Sequence, residues 1–113
     1  MSEKYRIIIL PEAQQDIRNI IFYIAISLAA PQAALDLQDS FEQGIRSLSE
    51  MPERIRLIDE QPWKAAGVRK LRIRNYYIYF VISEASCTVK IMAVIYIGRN
   101  QQEQMTERNM DKH

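Results

Sequence analysis

The sequence predicts an α+β fold in which an antiparallel helical hairpin covers one face of a mostly antiparallel sheet. Between residues 12 and 48, apolar residues recur every three or four positions, as they do on the buried stripe of an amphipathic helix. After Gly67 they alternate with polar residues, as in a strand that has one buried face. The resulting order, one strand, two helices and then three strands, places both helices on the same side of the sheet.

We expect the whole chain, residues 1–113, to form one domain. A length of 113 residues is ordinary for a single domain, and 48% hydrophobic with 26% charged residues is the composition of a packed protein. A single cysteine excludes an internal disulfide, and a single histidine excludes a Cys/His zinc site.

No segment is expected to enter a membrane or to hold a cofactor. The longest apolar runs, 20–30 and 91–98, are too short to span a bilayer as helices. The N-terminal residues lack the apolar region and the cleavage site of a signal peptide. Acidic residues at three-residue spacing on the second helix are better explained by a solvated helix face than by a metal site. We therefore expect a cytoplasmic protein without metal, other cofactor or membrane partner.

The first half of the chain predicts a strand followed by two helices. Residues 5–10 are rich in β-branched side chains and end at Pro11, a residue suited to the first turn of a helix. The apolar spacing predicts a helix over 12–28, with Leu28 as the last residue of its buried face. Pro31 opens a second periodic segment, which Met51 and Pro52 end. Because the connection between the two segments is short, the helices should pair antiparallel.

The second half predicts an irregular crossing and then three strands. Residues 53–67 show no periodicity, and we expect Trp63 to be tucked beneath them. Gly44, on the second helix, should allow another backbone to approach closely. Strand patterns follow in three segments, at 68–74, 76–82 and 88–97. The last stretch, 100–113, is polar, and we expect it to be a frayed helix or disordered.

Positive charge is concentrated in one part of the chain. The net charge is −3 over residues 1–51, +4 over 52–74 and zero over the remainder. The densest run, residues 69–74, holds four cations on the first strand of the meander. Such a run is most often the solvated face of a half-buried sheet, but it also suits an anionic partner.

Aromatic residues are interleaved with these cations. Tyr76 and Phe80 should be core, whereas Tyr77, Tyr79 and Tyr96 have the opposite parity or an end position and should line a groove on the other face. Aromatic rings displayed beside cations can stack on nucleic-acid bases, although cross-strand packing is the commoner use of such residues.

The order and spacing of these segments resemble the RelE/ParE superfamily of toxins from type II toxin–antitoxin modules, the plasmid-stabilisation proteins. The resemblance rests on Tyr5, Pro11 through Ile17, Ile20–Tyr23, Leu48 with Met51-Pro52, Gly67–Leu71, Asn75–Phe80 and Val89–Arg99. It implies a toxin that arrests growth. It also implies a cognate antitoxin whose C-terminal segment wraps the toxin in a hetero-oligomer.

The resemblance implies one of two targets. RelE-like members cleave mRNA on the ribosome, whereas ParE-like members poison DNA gyrase and are not nucleases. In a metal-free nuclease, cations would neutralise the phosphate and a tyrosine would move the 2′-hydroxyl proton. The catalytic candidates would then be Arg72, Arg74, Tyr77 and Arg99, and the nucleic-acid-binding candidates Arg69, Lys70, Tyr79 and Tyr96.

Departures from the nuclease pattern favour the gyrase hypothesis. Tyr77 stands where the family nucleases usually have an arginine, and residues 101–105 hold neither the tyrosine nor the histidine that often assists catalysis. The long helical hairpin is also more typical of ParE-like members. The alternatives are a ribosome-dependent mRNA endonuclease and a degenerate member that binds an antitoxin without being toxic, so enzymatic activity stays open.

Overall fold

The computed structural model describes residues 4–98, in which two helices and four strands form the α+β fold that the sequence predicts. The elements are β1 (Arg6–Ile9), α1 (Pro11–Phe22), α2 (Pro31–Ser47), β2 (Arg69–Ile73), β3 (Tyr76–Ser83) and β4 (Thr88–Tyr96). Arg99 and the predicted polar tail lie outside the described residues. Within residues 4–98, no helix has the length and apolar character needed to cross a lipid bilayer.

The strands form one mixed sheet in the order β1-β4-β3-β2. Strands β2, β3 and β4 form the predicted antiparallel meander. Strand β1 lies at the sheet edge and runs parallel to β4, with Arg6 opposite Thr88 and Ile9 opposite Ile91. The first and last strands are therefore neighbours, and the two helices form the connection that returns the chain to the meander.

A β-bulge in β4 changes which side chains face the helices. Tyr79 pairs with Ala93 while Phe80 pairs with Ile91, so Met92 is an extra residue in the ladder. Before the bulge, Ile91 packs in the cluster beneath the helices, whereas after it Ala93 belongs to a second cluster on the opposite face. The faces to which successive β4 side chains point are therefore exchanged after Met92, as expected of a β-bulge.

Both helices begin at the prolines that the sequence indicated. Helix α1 continues into a π-helical turn, Tyr23–Ser27, which together with α1 nearly fills the predicted range 12–28. The prediction that Leu28 lies on the buried face is wrong, since its side chain is 55% exposed. A π turn holds more residues than an α turn and shifts the phase of the apolar stripe.

The principal core lies between the helices and one face of the sheet. Phe41 and Ile45 of α2 pack there with Ile78 and Phe80 of β3, and Phe80 is buried as predicted. Gly44 permits close packing, but of a side chain rather than of a backbone, because a methyl group at this position would overlap Ile73.

The crossing segment covers the opposite face of the sheet, which was expected to be open. Ile58, Trp63 and Val68 pack there on Tyr79 and on the strands beside it. Trp63 is 5% exposed, which confirms that it is tucked beneath the crossing. The second face is thus a small core of its own, and only its margins remain available to partners.

Candidate functional site

The basic residues of the candidate site lie around the β2–β3 hairpin. Ile73 pairs with Tyr76, which leaves Arg74 and Asn75 as the two-residue turn. Arg74 was expected on the strand, but it occupies the turn at φ 54°, a left-handed conformation that costs a side chain about 1 kcal/mol. The Ile97 N–H donates to the Asn75 carbonyl at 2.9 Å, so the end of β4 reaches the same turn.

Two cations project from the hairpin on the face away from the helices. Lys70 Nζ lies 4.2 Å from the centre of the Tyr77 ring, a cation–π contact. Arg72 is exposed, and its Nε donates to the Arg74 carbonyl at 3.0 Å. Neither cation forms an ion pair within residues 4–98. This end of the sheet therefore carries uncompensated positive charge.

Arg69, a predicted nucleic-acid contact, has a structural role instead. Its guanidinium Nη1 donates to the carbonyls of Glu53, at 3.2 Å, and Ile55. These bonds tie β2 to the segment that follows α2. Because charge-assisted hydrogen bonds to carbonyls hold a guanidinium in place, Arg69 is not free to turn toward a phosphate without breaking them.

The predicted tyrosine groove does not form. Tyr79 is 3% exposed beneath the crossing segment, and Tyr77 is half-buried with its ring edge-on to Tyr79 at 6.2 Å. Tyr96 is 47% exposed but lies on the helix side, edge-on to Tyr76 at 5.6 Å. The bulge at Met92 explains why Tyr96 lies on the other face from Tyr77 and Tyr79, because the side chains of β4 that follow it point to the opposite faces from those that regular alternation predicts.

The tyrosines with shifted pKa values are poor proton acceptors near neutrality. Burial raises the pKa of Tyr79 far above its usual range, and the neighbouring Tyr77 and Glu60 raise it further. Burial also raises the pKa of Tyr76, with a smaller contribution from Tyr96. Residues 4–98 contain no histidine, and Arg99 lies outside the described residues. The described hairpin can thus attract an anion, but its Tyr76 and Tyr79 are held in the protonated state and cannot take a proton from one.

The part of the chain that the structure describes, residues 4–98, holds no cluster of three or more His, Cys, Asp or Glu side chains that could bind a metal ion.

A second feature, which the sequence did not indicate, is an apolar groove between β1 and the helices. Its apolar lining comes from Ile7 and Ile9 of β1, Ile17 of α1, and Phe41 and Ile45 of α2, and its volume is about 390 Å³. The three helix residues lie on the apolar stripes that were expected to be buried, and Ile7 and Ile9 lie in the predicted first strand. Periodicity identifies an apolar face but not whether a neighbouring element closes over it, so the groove carried no sequence signal.

A basic pocket adjoins this groove at the end of α2. Lys4, Arg46 and Arg54 line it together with Glu50, and its volume is about 630 Å³. Arg46 also lines the apolar groove, so the two cavities share this residue of α2. The three cations are far apart in the sequence and lie outside the charge-rich run, which is why charge patterning did not group them.

The turn of the helical hairpin exposes a third surface, which we call the hairpin tip. No charged residue occurs between Arg18 and Asp36. Within that stretch, five large apolar side chains are more than half exposed: Phe22, Tyr23, Ile26, Leu28 and Leu35. An uncharged apolar surface of this kind is typical of protein–protein contacts.

Comparisons with known proteins agree with this fold. Residues 7–101 match the family model described as the ParE toxin of the type II toxin–antitoxin system, parDE. No curated protein matches the sequence significantly.

Solved structures with the same fold include chains from two toxin–antitoxin systems. A chain of the chromosomal ParDE toxin–antitoxin system from P. aeruginosa superimposes with a TM-score of 0.67 at 15% identity, covering 83% of this chain and 97% of that one. A chain of the RelBE2 toxin–antitoxin complex from Mycobacterium tuberculosis gives 0.59 at 18% identity, covering 83% and 92%. Because the family match spans most of the sequence, this chain belongs to the ParE toxin family of type II toxin–antitoxin systems.

Proposed function

We propose that this toxin arrests growth by poisoning DNA gyrase, and that a cognate antitoxin protein neutralises it in a hetero-oligomeric complex. The observation that carries the choice of target is the match to the ParE family over residues 7–101. The antitoxin partner is supported by the two structural neighbours, whose names describe toxin–antitoxin systems.

The chemistry of the hairpin site supports a target other than mRNA. Cleavage of RNA by a metal-free protein needs a group that takes the 2′-hydroxyl proton as well as cations that stabilise the phosphate. Lys70, Arg72 and Arg74 supply cations, but the catalytic candidate Tyr77 is half-buried, with its ring packed against Lys70 and the buried Tyr79. Poisoning of a protein target needs no such group.

The hairpin tip is the surface that we assign to gyrase. It presents exposed Phe22, Tyr23 and Ile26 with no charge nearby in the sequence. A few large side chains, most often aromatic residues or arginine, provide most of the binding energy in protein interfaces.

A DNA cleavage assay tests this proposal. Purified gyrase, supercoiled plasmid and ATP are incubated with the toxin, and linear DNA is measured after protein is removed with detergent and protease. We expect the toxin to increase linear DNA, and the Arg72→Ala/Arg74→Ala variant to do so equally. No increase at toxin concentrations that stop growth would refute the gyrase target.

A second candidate function, ribosome-dependent mRNA cleavage, is favoured by one observation, the unpaired cations at the exposed end of the sheet. Mapping of new 5′ ends on mRNA during translation tests it. New ends that depend on Arg72 and Arg74 would establish this function. Intact mRNA together with intact plasmid would instead identify a member that is inactive on both targets.

A further inference from the structure

The hairpin tip is held in shape by hydrogen bonds within its own backbone. The Leu28 N–H donates to the Tyr23 carbonyl at 3.0 Å, and the Ala29 N–H donates to the Ile26 carbonyl at 3.2 Å. These bonds satisfy backbone groups that a partner would otherwise have to pair. The tip therefore presents mainly apolar side chains in a preformed arrangement, so little conformational entropy is lost when a partner covers it.

The tip brings no net charge to a partner. No charged residue occurs between Arg18 and Asp36, and these two exposed residues, one at each margin, carry opposite charges. By contrast, cations dominate the β2–β3 hairpin, and the next charges along α2 are those of Asp39 and Glu42. A two-fold interface places a surface against its own copy, so like charges meet wherever that surface has a net charge. The tip avoids this repulsion.

The apolar area of the tip is sufficient for a weak dimer. Phe22 and Ile26 are each 64% exposed, Tyr23 is 56% exposed, and Leu28 and Leu35 are each 55% exposed. Since a large side chain presents roughly 150–250 Å² in full, the five together offer about 500 Å² per copy, or about 1,000 Å² for two copies. Specific interfaces begin at this size, and the smallest of them are transient. The expected dimer is therefore reversible and depends on concentration.

We propose that two copies of this chain associate through their hairpin tips, and that the dimer hides the surface with which the monomer contacts gyrase. Phe22, Tyr23 and Ile26 are then buried by one partner at a time, either gyrase or a second copy. The masking rests on the proposed function, which assigns the tip to gyrase, whereas the self-association does not. As toxin accumulates, the amount of gyrase that it poisons rises less than in proportion to its concentration.

Sedimentation velocity on the full chain tests the self-association. The wild-type chain should pass from monomer to dimer as its concentration is raised about a hundredfold. Phe22→Ser/Ile26→Ser should stay monomeric over the same range. Leu57→Ser, which changes an exposed apolar side chain of the crossing segment, should dimerise like the wild type. A wild-type chain that stays monomeric, or a dimer that persists in the double variant, would overturn the proposal.

Introduced charges test whether the interface is two-fold. In Ile26→Glu and in Ile26→Lys, both copies carry the same new charge at the interface, so each variant alone should be monomeric. An equimolar mixture brings opposite charges together and should restore the dimer. Mixing does not repair a misfolded chain, and circular dichroism of each variant provides a second check of folding. A mixture of folded variants that stays monomeric would contradict a two-fold contact at the tip.

Energy transfer between copies tests the masking. Copies labelled at the amino terminus with a donor or an acceptor should show energy transfer when mixed, and excess gyrase should abolish it. Energy transfer that persists while gyrase is poisoned would overturn the masking. A chain that dimerises but does not poison gyrase would reject only the proposed target. A chain that poisons gyrase but never dimerises would reject only this inference.

Discussion

Asp16 shows how one side chain of α1 completes the sheet. Strand β1 pairs with β4 only as far as Ile91, and beyond that point no other strand within residues 4–98 lies along this edge of β4. The Val94 N–H donates to Asp16 Oδ2 at 2.9 Å. The carboxylate thus satisfies a partly buried backbone donor just past the bulge, where a helix rather than a strand lies alongside.

Replacing Asp16 with alanine should lower the free energy of unfolding by about 1–3 kcal/mol, because the Val94 N–H loses its acceptor. Urea denaturation measures the loss. Asp16→Asn keeps a side-chain oxygen and should lose less, and Asp39→Ala, on the exposed face of α2, should have little effect. Equal losses for the Ala and Asn variants would contradict the role of the acceptor.

The raised pKa of Tyr79 predicts a loss of stability in alkali. Above about pH 10, tyrosines of the unfolded chain release protons that native Tyr79 retains. The free energy of unfolding must then fall as pH rises. Tyr79→Phe should make this fall shallower, and exposed Tyr23→Phe should not. Urea unfolding at pH 8 and pH 10.5 provides the comparison.

Residue roles in the site were only partly predictable. The exposed cation at Arg72 follows from strand alternation alone. The burial of Tyr79 does not, because it depends on Trp63 and Val68 crossing over it from a segment without periodicity. Contacts between residues distant in sequence decide which members of an alternating strand face water.

At the scale of elements, Gly44 sets how closely α2 packs on β2. Alanine has the higher helix propensity, by about 1 kcal/mol. We nevertheless expect Gly44→Ala to destabilise the protein by about 1–3 kcal/mol, because the added methyl group would overlap Ile73 in the core. Urea denaturation checks the sign, and Gln43→Ala on the exposed face of the same helix is the control. A Gly44→Ala variant as stable as the wild type would show that Ile73 moves aside.

The boundaries of the elements were largely readable from the sequence, since prolines begin both helices and alternation marks all three strands of the meander. The exceptions are the π turn and the β-bulge. Each adds residues to a regular repeat and changes the direction in which the following side chains point. Leu28 and Tyr96 therefore face other directions than simple periodicity predicts. Neither insertion leaves a distinctive residue type in the sequence.

At the scale of the molecule, substitutions in the hairpin tip should impair function without lowering stability. Phe22→Ser/Ile26→Ser removes two side chains that are each 64% exposed. The free energy of unfolding should change by only about 0.5 kcal/mol per site. Accumulation of linear DNA in the gyrase assay should nevertheless fall by at least about tenfold, as for the loss of an interface anchor. Full poisoning by this variant would move the gyrase contact away from the tip.

The pairing of β1 with β4 also determines the stage of translation at which the toxin can complete its fold. During translation β1 is made first, yet its strand neighbour in the sheet is β4, the last strand of the described chain. A nascent chain can form its helices early, but the sheet beneath them closes only after Thr88–Tyr96 has left the ribosome. Synthesis that stops earlier leaves a fragment without a finished sheet, so the cell meets a folded toxin only once translation of this fold is nearly complete.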